Sequence, residues 1–501
     1  MGIVQKDAFR TAILSYIGIS IGYLNRGVLF LICMTTEQIG LVNLLISVGL
    51  FFAQGANLGS VFTVLKFLPF FRDSTKRHHG FFPLMLLVVL LGIFSFTALF
   101  VLFRPQIELL YSEKSALFVS YYFWVLPIGI SYVLFLFMEA YLRSLYKNIV
   151  SVIAFEIVMR LVIMLLLLLL YFGVIGFHFF VMAQSLVYII PTAILVVYLY
   201  YLRELNLSLS SIAISSRFKK IVWQFATFNY LNSLGAVLVS TLDVVMVAQL
   251  VGLKATGVYS TVIFLTSALQ VPYKSILRIS TPLVAEHWKQ RDLPAMQTLY
   301  QKVSSVSLVI GLLSFLVIWV HIDFIFSFLK PEFQAGIWVF FFLMMGRLLD
   351  MFFGLNGTIF STSKKYKFDL IFTISLLFIV FFLNLLLIPK YGIIGAAIST
   401  GIALVVYNIG RVLFVWKSYA IHPFHANQFR IVFLGLLAVI LSYYLHQLDL
   451  STWLQLVLQS MLVAVVFIFP IYFFQLEPET TGYIQKGLLF IRQKIGNTGV
   501  K

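Results

Sequence analysis

Apolar residues run along this chain in long blocks, separated by short polar stretches that hold most of its lysine and arginine. A helix needs roughly 20 apolar residues to cross a bilayer. By that measure the pattern predicts about 14 crossings. Six are predicted at Phe9–Met34, Ile39–Leu65, Phe81–Phe103, Ala116–Leu142, Val150–Tyr171 and Phe177–Tyr201. After a serine-rich polar stretch, six more are predicted at Ile221–Val251, Thr256–Leu283, Val303–Ile325, Gly336–Phe360, Phe368–Ile388 and Ile393–Trp416. Two extra ones follow, at Ile431–Leu445 and Trp453–Phe474. The expected fold class is an all-α integral membrane protein. Its expected parts are a six-helix bundle over 1–202, a cytoplasmic linker over 203–220, a second six-helix bundle over 221–417, two further transmembrane helices over 418–476 and a cytoplasmic tail over 477–501. The tail alternates apolar and basic residues from Tyr483 to Lys494, which suits a helix on the membrane surface or a short cytoplasmic helix. Glu286 to Gln301 reads similarly.

The two sets of six resemble each other. Thr36-Glu37-Gln38-Ile39-Gly40-Leu41-Val42 is echoed by Lys254-Ala255-Thr256-Gly257-Val258-Tyr259. At nearly the same offset, Phe172-Gly173-Val174-Ile175-Gly176 is echoed by Tyr391-Gly392-Ile393-Ile394-Gly395. These glycines belong to tight turns and close helix packing. Six helices per repeat return the chain to its starting side, so the halves have parallel topology. Duplicated membrane chains of this kind are transporters that carry substrate between their halves.

Composition agrees: 61% of the residues are hydrophobic and 11% charged, against about half and a quarter in soluble domains. Met1 to Arg10 is polar and is not followed by a small-residue cleavage site, so the first apolar block reads as a retained helix. The net charge of +17 needs no nucleic acid. Assigning loops alternately to two sides leaves only Arg104, Lys114, Lys254, Lys330 and Lys390 on one of them, with Arg26, Arg160 and Arg347 inside spans. The remaining lysines and arginines share a side with both termini, which the positive-inside rule puts in the cytoplasm. Cys33 is the lone cysteine, which excludes an internal disulfide and a multi-cysteine metal site. His78-His79 is a thin metal-ligand set and reads as part of a solvated loop. The sequence has no Gly-x-x-x-x-Gly-Lys-Ser/Thr motif, so ATP is not bound in that way and an ion or substrate gradient is implied. The longest outer loop, Arg104 to Ser115, is too short for the catalytic loop of a membrane glycosyltransferase or polymerase. No enzyme activity, cofactor or metal is expected.

Ile388-Pro389-Lys390-Tyr391-Gly392-Ile393-Ile394-Gly395-Ala396-Ala397-Ile398-Ser399-Thr400 resembles the junction of helices 11 and 12 in bacterial polysaccharide flippases. Those flippases belong to the multidrug/oligosaccharidyl-lipid/polysaccharide exporter superfamily. Glu37-Gln38-Ile39-Gly40 with Leu65-Lys66-Phe67-Leu68-Pro69, and Leu242-Asp243, resemble the same family's first hairpin and helix 7. The resemblance spans nearly the whole chain and rests on structural turns. It implies two bundles that open alternately to each side of the bacterial inner membrane. The implied cargo is a polyprenyl-pyrophosphate-linked oligosaccharide for surface polysaccharide, moved to the outer leaflet among membrane lipids with a proton or sodium as coupling ion. A cation-coupled multidrug exporter is the alternative. That class usually has an acid in helix 1, where this chain has Arg26. A peptidoglycan-precursor flippase ranks lower, because it carries several cavity arginines.

Ionisable groups in lipid are costly and face a partner or a cavity. Glu156 with Arg160, Arg347 with Asp350, and Glu139 with Arg143 each lie one turn apart and read as self-neutralising pairs. Arg26 and Asp243 have no such neighbour and occupy equivalent repeat positions, the same distance apart as Gly40 and Gly257. Arg26 is the candidate for the carrier's pyrophosphate, because guanidinium stays charged and binds phosphate bidentately. Pairing of Arg26 with Asp243 as a latch is the competing role, and Asp243 is also the candidate for ion coupling. Asn25, Gln54, Asn57, Asn229, Asn232, Gln270 and Asn356 join the candidate lining, since amides bond sugar hydroxyls in both directions. The same amides also bond neighbouring helices in membranes. Pro69, Pro272 and Pro282 mark kinks or helix ends.

Overall fold

The structure is a computed structural model that describes residues 3–73, 77–205, 207, 216–365, 367–448, 450–478 and 482. The tail expected from Tyr483 to Lys494, and part of the linker, lie outside these residues. All regular elements among the described residues are helices. Helices suit lipid because they satisfy every backbone group within one segment.

Twelve of the described helices are long and apolar enough to cross a membrane. They include α1 (Ile13–Cys33), α2 (Thr36–Ala56), α3 (Phe81–Leu102), α4 (Tyr122–Ser144), α5 (Ile149–Tyr171), α6 (Phe177–Tyr201) and α7 (Phe218–Leu250). The next segment, α8, consists of two pieces, Leu253–Ala268 and Val271–Gln290, with Pro272 in the first turn of the second. Then come α9 (Leu293–Trp319) and α10 (Pro331–Phe353). Phe368–Tyr419 is 52 residues long, about 78 Å as a continuous helix, far more than a bilayer needs. It is two helices, α11 and α12, hinged at Gly392, where φ is 58° and ψ −136°. Only glycine reaches that conformation readily. The last of the twelve are α13 (Ala426–His446) and α14 (Thr452–Phe473). Against the fourteen expected blocks, one of the twelve is the hinged pair α11–α12, and the two-piece α8 is not among them.

The chain forms two compact units. The first contains residues 1–264 and 377–396, and the second residues 265–376 and 397–501. In the first, α2 begins at a capping box: Gln38 N–H donates to Thr35 Oγ1 and Thr35 N–H to Gln38 Oε1. The two echoed glycines meet here. A Cβ on Gly40 would strike Leu253 O, and one on Gly257 would strike Thr36 O. Bare glycine at both positions lets the first turns of α2 and α8 touch through their backbones. Lower in α2, Leu58 (φ 46°) and Gly59 (φ 78°) break the helix, which resumes as Ser60–Phe71. Phe52, Phe67, Phe82, Phe137 and Tyr141 fill the core between α2, α3 and α4. The second unit has its own core of Met296, Tyr300, Leu355, Phe360 and Val415.

The segment from Glu286 to Gln301 is not a separate surface helix. Arg291 ends α8 in a left-handed conformation, and Asp292 caps α9 by accepting from Ala295 N–H at 2.9 Å. Two residues make the whole connection.

Candidate functional site: an arginine-lined cavity

Gly18 and Gly22 lie one turn apart on the same face of the first helix, Ile3–Leu24. Their lack of side chains brings it against α5. A Cβ at Gly18 would sit 2.7 Å from Glu156 Cβ, and one at Gly22 would sit 3.1 Å from Arg160 Cζ. Both helices change pitch at this level. Asn25–Leu29 in α1 and Ile153–Val158 in α5 are π-helical turns. Such turns insert a residue and re-aim side chains, often at functional sites. Here they border a cavity of about 360 Å³ lined by Asn25, Arg26, Tyr132, Arg160, Gln184 and Tyr188, among others. Tyr23 and Phe264 close one wall, with ring centroids 4.8 Å apart.

The lining contains two guanidiniums and no carboxylate. Arg160 is anchored: it forms an ion pair with Glu156, donates from Nη1 to Gly18 O at 2.5 Å, and its carbonyl accepts from Asn25 Nδ2 at 2.8 Å. The Arg26 side chain makes no hydrogen bond or ion pair among the described residues. Glu156 is committed to Arg160, so the positive charge of Arg26 has no protein counterion here. Asn25 Oδ1 and Gln184 Oε1 are buried with no hydrogen-bond partner. Buried polar atoms are normally satisfied, and these two face a cavity. The set supplies charged donors for an anion, together with tyrosine hydroxyls and amides for hydroxyl groups.

Of the candidate substrate-binding residues read from the sequence, only Asn25 and Arg26 line this cavity. Arg26 does not pair with Asp243. The buried Asp243 carboxylate instead accepts from Tyr259 Oη and Asn384 Nδ2, both at 2.8 Å. Most of the other amides are committed to helix contacts, since an amide in lipid takes the nearest partner. Gln54 donates to Ser233 Oγ at 2.5 Å. Asn57 holds the α2 break, accepting from Gly59 N–H at 2.7 Å and donating to Gln54 O. Asn229 donates to Phe225 O in its own helix. Asn232 is half-buried on α7 and makes no side-chain hydrogen bond among the described residues. Gln270 and Asn356 belong to the second unit. Gln270 precedes the second piece of α8, and Asn356 donates to Asn408 Oδ1 at 2.8 Å.

The intrahelical pairs fare unevenly. Glu156–Arg160 and Glu139–Arg143 form. Asp350, expected to pair with Arg347, accepts from Asn408 Nδ2 at 3.0 Å. His78 is buried rather than solvated. Its Nδ1 accepts from Asp73 N–H and its Nε2 lies 2.9 Å from Glu204 Oε2. Among the described residues, no group of three or more metal-ligating side chains is close enough to hold a metal ion. Pairing logic treated Arg160 as self-neutralised and so hid its place in the cavity wall. The readable signal was the Gly18–Gly22 spacing on the facing helix.

No family model matches the sequence, and no curated protein matches it. Solved structures match it in fold. The lipid II flippase MurJ, in an inward closed conformation, superposes with a TM-score of 0.69 at 14% identity, covering 93% of this chain and 98% of that one. A multidrug resistance MATE family transporter of the MOP superfamily, inward-facing, gives 0.65 at 15% identity, over 80% of this chain and 94% of that one. A MOP superfamily transporter from Pyrococcus furiosus, described by the reversed polarity of its binding pocket, gives 0.54 at 15% identity, over 84% and 96%. The chain is a multi-pass membrane protein with the helical fold shared by MATE and MurJ transporters.

Proposed function

We propose that this protein translocates a polyprenyl-pyrophosphate-linked oligosaccharide across the bacterial inner membrane by alternating access, with both termini cytoplasmic. What carries the reading is the unopposed charge of Arg26 beside Arg160 in a cavity without a carboxylate. A pyrophosphate would supply the missing counterion, and the amides and tyrosines would meet the first sugar. An organic cation would meet two like charges, which disfavours the drug-exporter reading. Asp243 is the proposed coupling group, because a buried carboxylate among neutral donors can take up a proton or sodium.

A second reading, a peptidoglycan-precursor flippase, gains from two observations. Arg160 joins Arg26 in the cavity, and the likeness to the lipid II flippase extends over 93% of this chain. The two readings share the pyrophosphate and differ in the glycan. Proteoliposomes loaded with a fluorescent lipid-pyrophosphate glycan test the shared part. Translocation should depend on Arg26, and a protein with Arg26→Gln that flips at the native rate would sink the proposal. A deletion strain separates the readings: surface-polysaccharide intermediates should accumulate on the inner leaflet while the peptidoglycan precursor does not.

A further inference from the structure

The second unit has a polar pocket of its own, built from helix ends. The two-residue connection between α8 and α9 places Trp288 and Arg291 on one wall. Thr362, Ser363 and Lys364, at the end of the short helix Asn356–Thr362, form another. Tyr419, the last residue of α12, completes a space of about 330 Å³. These ends belong to loops on the lysine- and arginine-rich side of the sequence pattern.

The lining has two cations and no acid. Acids close in sequence are engaged elsewhere: Asp292 caps α9, Glu286 accepts from Gln290 Nε2 at 3.1 Å, and Asp369 holds Arg411. Neither Arg291 nor Lys364 has a side-chain hydrogen bond or ion pair among the described residues. The Trp288 ring packs on Tyr419, with centroids 4.7 Å apart at 64°. That packing fixes its indole, and the indole Nε1 is buried with no hydrogen-bond partner. Solvated loop lysines and arginines are ordinary on a cytoplasmic face. They do not explain a buried N–H donor that lacks an acceptor, a state proteins normally avoid.

We infer that this pocket binds a phosphate-bearing headgroup. Arg291 supplies a planar fork, Lys364 a point charge and Trp288 one directional donor, a set that complements phosphate oxygens. A basic pocket between helix ends at the membrane surface, edged by Trp and Tyr, suits an anionic phospholipid. A soluble phosphate ester shares the chemistry. The site shares no lining residue with the arginine cavity and does not depend on the proposed cargo.

The test uses the delipidated full chain and native mass spectrometry, with added phosphatidylglycerol or phosphatidylcholine and with glycerol 3-phosphate as soluble competitor. Phosphatidylglycerol should bind in preference to phosphatidylcholine. Binding should fall about tenfold in Arg291→Gln/Lys364→Gln. It should fall about fivefold in Trp288→Phe, which keeps the ring packing and removes only the donor. If glycerol 3-phosphate binds the wild type, loses affinity in both variants and displaces the lipid, the phosphate site stands and its ligand is soluble. Equal binding by wild type and Trp288→Phe, or equal retention of phosphatidylcholine, would overturn the inference.

Discussion

Arg26 and Arg160 share one cavity but differ in what each would leave behind on removal, and this separates binding from stability. Arg160→Gln strips Glu156 of its ion partner and Gly18 O of a donor. Breaking a fully buried pair costs about 3–5 kcal/mol. The two side chains are 22% and 27% exposed, so solvent screening should reduce the loss to about 2 kcal/mol. Arg26→Gln removes a charge with no protein partner and relieves its repulsion with Arg160, so stability should hold or rise slightly. Each guanidinium should contribute one or more charge-assisted hydrogen bonds to an anion, worth about 1.5–3 kcal/mol apiece. Either loss should therefore weaken cargo binding by roughly 10- to 150-fold.

The assay pairs thermal unfolding in detergent with flipping in proteoliposomes. Both single variants should flip poorly, and only Arg160→Gln should melt earlier. Adding Glu156→Gln to Arg160→Gln should restore most of the stability without restoring flipping, because the two sites are directly coupled. If Arg26→Gln melts as early as Arg160→Gln, Arg26 has a structural partner and the unopposed-charge argument fails.

Three further outcomes follow from the geometry. Asp243→Asn keeps acceptor oxygen for Tyr259 or Asn384 but cannot ionise, so the protein should fold and its flipping should become independent of the applied ion gradient; persistent gradient dependence would remove Asp243 from coupling. Gly257→Ala puts a Cβ against Thr36 O, with Gly40 N only 3.2 Å away, and should lower stability by about 1–3 kcal/mol; an unchanged melting temperature would mean that the α2–α8 contact is loose. Gly392→Ala meets no atom within 4 Å, so any loss is purely conformational and should be about 1–3 kcal/mol from the positive φ, measurable by thermal unfolding.

Helix number and the glycine echoes were legible in the sequence because both follow from local rules. Apolar length sets the spans. A residue at the α11–α12 hinge must adopt φ 58°, and the sequence has glycine there. Gly40 and Gly257, read as glycines of tight turns and close helix packing, do meet in a contact between helices; that each packs on the other's helix is what spacing within one chain segment does not reveal. The site was less legible for a similar reason. Gln54, Asn57 and Asn229 carry the chemistry a sugar would want, yet each is satisfied within reach of its own or an adjoining helix. Whether an amide faces a helix or a cavity depends on rotation about the helix axis, and the two π-helical turns alter that rotation where it matters most.

Arg26 and Asp243 began as equivalent positions of a repeat, with opposite charge. Their surroundings now give that opposition a physical meaning. Asp243 sits among donors that match it, Tyr259 and Asn384, which suits the proton or small cation of the proposed coupling. Arg26 sits beside a second arginine, with unpartnered amide oxygens nearby and no acid in the lining, which is why the proposed function gives it an anionic ligand. A latch between the two would have cancelled both charges and left neither available. Because each keeps its own environment, the proposed function places substrate and coupling ion at separate points of one unit, and mutating either should leave the other's ligand affinity unchanged unless a conformational step links them. Measuring cation binding in Arg26→Gln, with no cargo present, tests that separation: altered affinity would mean that the two repeat positions are coupled even at rest.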